Sequence, residues 1–428
     1  LLSLILTVTF LVLLFLRVPV SMAIGLSTLI PLVILDKNLA IIPQYMLEGV
    51  QSVPLLAVPF FILAGNIFNT MGLSKRIWDF ALHLVGHYKG GMGHVMVVAN
   101  MIFAGISGSA LADAAGLGLI GIPAMEKQGY RRGFSTAIAL CSSVIGPMIP
   151  PSINLILYGV LAQVSIGRLF IAGVVPGLII GAAMMSTIYF FASTGRETCP
   201  VQPRKSIPAV GRSFVRNSPA LLIPVIIILG MGFGIITPTE VGVVATLYAV
   251  FLGCFYRESS MKEVWASLVS SVKATTMIMV IIAVSTVAGW IYAYEGTSLK
   301  LAGWMFALTE SKIVLLFLIN IFLLVLGCLL EPIPVLILTT PIFLPIIQQL
   351  GIDPVQFGII MSFNITIGII TPPMGIGLYV MMGVVDIKFE TLVKACLPFF
   401  IPLIACLLLF TYVPGISMWL PNVLMGPP

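Results

Sequence analysis

Gly105-Ile106-Ser107-Gly108-Ser109, with Asp113 shortly after it, opens the stretch that decides the fold. It continues at Ser142-Ser143-Val144-Ile145-Gly146-Pro147-Met148-Ile149-Pro150-Pro151-Ser152-Ile153-Asn154. Residues 103–158 are apolar enough to sit in lipid, yet these glycines, prolines and serines break a helix and strand its backbone groups. A membrane tolerates such backbone only where protein or a water-filled cavity covers it. The stretch therefore reads as half of an ion and substrate site. Residues 325–380 read as the other half, in an inverted copy.

Composition sets the outer frame. The chain has 428 residues, 59% hydrophobic and 8% charged, with a mean hydropathy of +1.15. Soluble domains carry about 25% charge. The fold class is thus an all-α polytopic membrane protein. The 40 glycines and 29 prolines suit broken membrane helices. A net charge of +6 does not indicate nucleic acid, because Lys and Arg sit in short loops. Six cysteines form no CxxC pair, which argues against a metal or disulfide framework. No charged segment or Met precedes Leu1, so no cleavable signal peptide is expected. That start fits a chain lacking its first residues or cut from a longer fusion.

The order of elements divides the chain into scaffold helices at 1–52, a first repeat at 53–195 and a connector at 196–217. Linking scaffold helices at 218–271, a second repeat at 272–414 and a tail at 415–428 complete it. Within repeat 1, residues 73–88 place Leu73, Ile77, Phe80, Ala81, Leu84, Val85 and Tyr88 on one helical face. That pattern predicts an amphipathic arm helix lying in the interface. His83 and His87 share its spacing but lack a third ligand, so they read as polar surface. Residues 93–125 predict a re-entrant hairpin, and 134–160 a span broken at 146–151. Gly173, Gly177 and Gly181 in 169–192 have the spacing of close helix packing. In the second half, 260–271 reads as a separate amphipathic helix before a span at 272–294. Residues 297–308 read as a second arm, 313–350 as a second hairpin, 355–382 as a second broken span and 392–412 as the last span.

Placing the basic connector in the cytoplasm orients every loop. Fifteen Lys and Arg then fall on the cytoplasmic side, among them Arg17, Lys75, Arg76, Arg131, Arg132, Arg257 and Lys388. Four fall outside: Lys37, Arg168, Lys300 and Lys312. This satisfies the positive-inside rule and opens the two hairpins to opposite faces. Under a shift of 222 residues, Gly105 meets Gly327, Pro123 meets Pro345 and Gly146 meets Gly368. Pro150-Pro151 meets Pro372-Pro373, and Pro176 meets Pro398. Two inverted repeats, each with a hairpin and a broken helix, are a recurrent transporter plan.

A broken helix leaves free carbonyls on one half and free N–H groups on the other. The carbonyls can replace the hydration shell of Na⁺, and the N–H ends suit a carboxylate. Half one offers Ser107, Ser109, Gly146 and Pro150 with the hydroxyls of Ser142 and Ser143. Half two offers Gly327, Thr366, Gly368, Thr371 and Met374, mostly through backbone oxygens. Asn154, Ser152 and Asn364 add uncharged hydrogen-bonding groups for a substrate. The plainer role of such small residues is close helix packing. Asp113 and Glu331 lie near the hairpin tips, where an acid either serves function or holds the tip through backbone N–H groups.

At these residues the chain resembles the large membrane subunit of the tripartite ATP-independent periplasmic (TRAP) transporters. The resemblance rests on 105–113, 145–154, 327–334 and 364–377 with the two arm helices, and it covers nearly the whole chain. It implies a sodium-driven elevator in the bacterial inner membrane, with a small membrane subunit widening the scaffold. It also implies a periplasmic binding protein that delivers an organic acid; the overall pattern looks like the sialic-acid members. The sodium residues it implies are Ser107, Ser109, Gly146 and Pro150, then Gly327, Gly368, Thr371 and Met374. No organic cofactor is implied.

Two rival classes remain. A stand-alone sodium/dicarboxylate symporter shares the hairpin plan and needs no partner. Gly105-Ile106-Ser107-Gly108 also matches the GxSG of intramembrane serine proteases. That chemistry needs a histidine base in reach of the serine, whereas His83, His87 and His94 all precede Ser107. An ATP-driven pump is disfavoured, since no GxxxxGK[ST] loop occurs.

Overall fold

Every described regular element is a helix, as an apolar chain that must close its backbone hydrogen bonds locally requires. The computed structural model describes residues 1–232, 234–256 and 261–427. Six described helices are long and apolar enough to cross a membrane. The chain begins with α1 (Leu2–Phe15), α2 (Val20–Ile34), α3 (Ile41–Val50), α4 (Ala57–Thr70) and the arm α5 (Leu73–Val85). Hairpin 1 is α6 (Gly91–Ser107) and α7 (Ala110–Lys127). The first broken span is α8 (Arg132–Ser142) and α9 (Ile153–Ala162), followed by α10 (Ile166–Ser193). Then come α11 (Ile207–Gly232), α12 (Pro238–Tyr256), α13 (Met261–Tyr294) and the second arm α14 (Thr297–Leu308). Hairpin 2 is α15 (Lys312–Leu329) and α16 (Pro332–Gln349). The second broken span is α17 (Pro354–Gly368) and α18 (Ile376–Val384), and α19 (Phe389–Tyr412) and α20 (Pro414–Met425) end the chain.

The 222-residue shift carries over to element bounds. Moved by that amount, α7 lands on the bounds of α16, and α6 lands within one residue of α15 at its start. The pairs α8 with α17, α9 with α18 and α10 with α19 overlap likewise. At 18 residues each, α15 and α16 run about 27 Å, nearly the thickness of a hydrocarbon core.

The centre of the molecule is built from the two broken spans. Every residue from Val355 to Gly368 of α17 is buried, as expected of a helix apolar on all sides. Its Phe357 and Phe363 pack with Tyr158 of α9 and Phe410 of α19, with ring centroids 6.5 Å and 5.4 Å apart. The Tyr158 hydroxyl donates to the Pro354 carbonyl at 2.7 Å and ties the halves together. The arm α5 is amphipathic: Leu73, Ile77, Phe80, Ala81 and Val85 are buried while Lys75 and Asp79 are exposed, but Leu84 and Tyr88, expected on the apolar face, are exposed too.

Three sequence expectations change. Residues 261–271 are not a separate amphipathic helix. They continue into α13, a single rod of 34 residues, because no Gly or Pro interrupts the junction. Arg257, counted on the cytoplasmic face, and Ser260 lie outside the described residues. The connector is only half irregular, since α11 begins at Ile207 and makes Arg212 and Arg216 helical. The tail is also a helix: the Arg168 guanidinium reaches from α10 to the Gly426 carbonyl at 2.9 Å and to Asn422 Oδ1. At the turn before α12, Thr237 and Glu240 form a reciprocal capping box, with Thr237 N–H to Glu240 Oε2 at 2.7 Å.

Candidate functional site

The tip of hairpin 1 follows from three residues. Gly108 takes φ of 62°, a left-handed conformation that ends α6 where most side chains would be strained. Ser109 then turns extended and caps α7, accepting the Ala112 N–H at 3.5 Å. Asp113 lies one turn into α7, so its carboxylate folds back over the tip. Ser107 Oγ donates to Asp113 Oδ1, a side-chain bond rather than the backbone one that a plain tip-holding role would use. Asp113 is fully buried, and among the described residues its Oδ2 has no hydrogen-bond partner.

The break of the first span closes over that carboxylate. Gly146 has no side chain, and a Cβ there would press on Asp113 Oδ2. A Cβ on Gly108 would likewise meet the Pro151 carbonyl. The tip at 107–113 and the break at 146–151 therefore touch, which is the juxtaposition that the sequence leads one to expect. Pro150 lies within this break, and its bond to Pro151 is cis, as is Pro372–Pro373 in the second. Ser152 donates to the Pro147 carbonyl at 2.6 Å and accepts the Leu155 N–H at 3.2 Å, capping α9.

Hairpin 2 reaches the second break by another local route. Its tip has no glycine: Leu330 is extended, Glu331 precedes α16 and Pro332 occupies the first helical position. Gly327 and Gly368 meet backbone to backbone, with a Cβ on Gly327 only 2.9 Å from the Ile365 carbonyl oxygen. Thr371 lies just beyond, and its carbonyl accepts Cys328 Sγ at 3.2 Å. Met374 stands apart in environment, with a side chain 51% exposed.

A cavity of about 160 Å³ lies between the two tips and the two breaks. Its wall includes Ser109, Pro147, Asn154, Glu331 and Ile369. It also includes the opening residues of three helices, Ala110 of α7, Ile153 of α9 and Pro332 of α16. Three helix N-termini thus converge on one space, each carrying partial positive charge. Of the expected substrate residues, Asn154 lines the cavity and Ser152 caps the helix beside it. Ser143 donates to Leu140 O at 2.8 Å, and Thr366 to Ser362 O at 2.6 Å. Asn154 Nδ2 also reaches Thr366 Oγ1 at 3.5 Å across the halves.

Asn364 is engaged elsewhere. Its amide donates to the Asn320 carbonyl at 2.9 Å and to Asn320 Oδ1 at 2.8 Å, while Asn320 donates to Thr411 Oγ1 at 3.0 Å. In the first half, Asn100 of α6 donates to Ser142 Oγ of α8 at 2.6 Å. Each hairpin is therefore fastened to its broken span by a buried amide. Sequence reasoning passed over Asn100 and Asn320, although a lone amide in an apolar helix is the available signal. Asn320→Leu is expected to destabilise the protein by about 1–3 kcal/mol, because the Asn364 amide loses its Oδ1 acceptor and keeps only the residue-320 carbonyl, and Thr411 Oγ1 loses its donor. Thermal unfolding in detergent checks this; an unchanged midpoint would show the amide contact to be unimportant.

The positions of His94 and Ser107 argue against the protease reading. Ser107 donates to an aspartate, and His94 Nε2 donates to the Lys89 carbonyl at the far end of α6. His94 and Ser107 are thirteen helical steps apart, about 20 Å.

Comparison with known proteins decides the family. Residues 7–416 match the family described as tripartite ATP-independent periplasmic transporter, DctM component. The chain belongs to this TRAP transporter family. It is 41% identical over 386 residues to the sialic acid TRAP transporter large permease protein SiaM of Vibrio cholerae, covering 90% of each chain. It is 39% identical over 376 residues to the C4-dicarboxylate large permease protein DctM of Pseudomonas aeruginosa, covering 88% of each. The sialic acid permease SiaT of Haemophilus influenzae is 38% identical, and the match covers 97% of this chain and 67% of that one. Among solved structures, the Alcanivorax borkumensis YdaH transporter superposes with a TM-score of 0.66 at 13% identity, covering 89% of each chain. That likeness concerns the fold. As a TRAP large permease the chain is a multi-pass protein of the bacterial inner membrane, a transporter component rather than an enzyme.

Proposed function

We propose that this TRAP permease is the large membrane subunit of a sodium-coupled importer of an organic acid. A soluble periplasmic protein delivers the acid, and a small membrane subunit completes the scaffold. The observation that carries this reading is the cavity on which three helix N-termini converge. Their dipoles favour a carboxylate, and among the described residues no Lys or Arg lines the cavity. At 160 Å³ the cavity is below the roughly 300 Å³ of ordinary ligand pockets, so the hairpin tips separate to admit substrate. Sialic acid is the first substrate to test, from the likeness to SiaM, with C4-dicarboxylates next.

Sodium coupling rests on the oxygen donors of the first half. Na⁺ is a hard cation that takes carboxylate, hydroxyl and carbonyl oxygens. Ser107, Asp113 and the backbone near Gly146 supply these types, and the unpartnered buried Asp113 Oδ2 fits such an ion. Gly327, Gly368 and Thr371 are the counterpart in the second half. A bound cation would hold tip and break together by neutralising the carboxylate. An elevator, with hairpins and broken spans moving as a body against α1–α4 and α11–α13, suits the two opposed hairpins of an inverted repeat.

The test is uptake into proteoliposomes under a sodium gradient, across candidate acids, with and without the periplasmic protein. Uptake that needs both sodium and that protein is expected. Full-rate transport of free substrate would favour the stand-alone symporter instead. Ser107→Ala with Ser109→Ala should shift the sodium activation curve to higher concentration by roughly 10-fold, the loss of about one good hydrogen-bonding or ligating group. An unchanged curve would remove these serines from the sodium site.

A further inference from the structure

A second cavity shares no lining residue with the site just described. It measures about 830 Å³ and sits between the arm α5 and the first half of α11. Lys75 and Arg76 of α5 and Arg212 and Arg216 of α11 line it, with Asp79 as the one carboxylate in its wall. Among the described residues, Lys75, Arg212 and Arg216 make no ion pair. Glu197, the acid of the connector, is engaged by Arg131 at 2.9 Å.

The shape has a local cause. Helix α11 bends by 65° between Pro208–Pro219 and Pro224–Met231, which lays its basic first half against the arm. Phe80 of α5 and Phe214 of α11 pack with ring centroids 5.9 Å apart, tilted by 53°, and tie the two helices together. Phe214 and Val215 remain 51% and 71% exposed, so apolar surface adjoins the basic cavity. A solvated basic surface would need neither a concavity nor an apolar border. Cations converging on a hollow beside lipid-facing side chains suit a ligand with an anionic head and apolar tails.

We propose that the hollow between α5 and α11 binds the phosphate head group of an anionic phospholipid. The chemistry recognised is a phosphate diester, held by Arg212, Arg216 and Lys75, with acyl chains along Phe214 and Val215. The lipid would bridge the arm and the connector, on the face that carries most of the Lys and Arg.

The experiment titrates the full chain in detergent with phosphatidylglycerol, phosphatidylcholine or inorganic phosphate and counts bound lipid by native mass spectrometry. Phosphatidylglycerol should bind, and Arg212→Gln with Arg216→Gln should weaken it about 30-fold, from about fivefold per basic residue near a membrane surface. Arg212→Lys with Arg216→Lys keeps the charge and should stay within about threefold of wild type. Equal binding by wild type and the Gln pair would overturn the proposal, as would equal losses in the Lys and Gln pairs. Displacement of the lipid by millimolar inorganic phosphate would assign the hollow to a soluble anion and overturn the lipid reading.

Discussion

Asp113→Asn should raise the sodium concentration needed for half-maximal uptake by at least about 100-fold, the scale of leaving one side of a buried charge pair uncompensated. The variant is nearly isosteric, so it tests charge rather than shape. Asp113 is fully buried, accepts Ser107 Oγ on one oxygen and keeps the other unpartnered against Gly146. A carboxylate so placed is costly by itself and becomes favourable when a cation shares its site. If its role were only to hold the tip, the asparagine carbonyl would still accept the Ser107 hydroxyl, and uptake would keep its sodium dependence. A wild-type activation curve in Asp113→Asn would therefore assign the residue to the hairpin's structure. A variant that loses uptake but responds to raised sodium supports a ligand.

How much of this was legible beforehand differs between the two halves. Hairpin 1 could be read residue by residue, because Gly108, Ser109 and Asp113 are each a local signal: a left-handed stop, a cap and an acid in the first turn. Hairpin 2 could be placed at 313–350 with a break at 327–334, but its tip could not be read residue by residue. Its turn at Leu330-Glu331 uses extended backbone and Pro332, which leave a weaker trace than glycine. The length of α13 was misjudged because amphipathic residues 261–271 and apolar residues 272–294 differ in environment, not in helical propensity. Environment changes along a helix that leaves a membrane, while the backbone has no reason to stop.

The amides show a different limit. Asn364 looked like a substrate residue because a polar group in an apolar run needs a partner, and that inference was sound. Sequence gives no distance between 364 and 320, so the partner could equally have been a ligand. The same applies to Gly105, quoted as part of the tip motif. A Cβ there would stand 2.5 Å from the ring of Pro224, so that glycine permits close approach of α6 to the bend of α11.

Gly368→Ala is expected to cost about 1–3 kcal/mol of stability or more, the range for overpacking, and to abolish transport. A Cβ on Gly368 would lie 2.6 Å from Gly327 Cα and 2.8 Å from its carbonyl oxygen. These are backbone atoms of hairpin 2, so no side-chain rotation relieves the clash, and α15 must move away from α17. That motion would also draw Cys328 from the Thr371 carbonyl and open the second half of the site. Gly383→Ala is the matched control: α18 leaves nothing within 4 Å of its Cβ, and alanine is the better helix former by about 1 kcal/mol. Thermal unfolding and uptake measured on both variants separate crowding at this contact from a general intolerance of added methyl groups. A Gly368→Ala protein with wild-type stability and transport would mean that hairpin 2 does not need to approach its broken span this closely. In that case Gly327, Gly368 and Thr371 would lose their claim to a shared ion site.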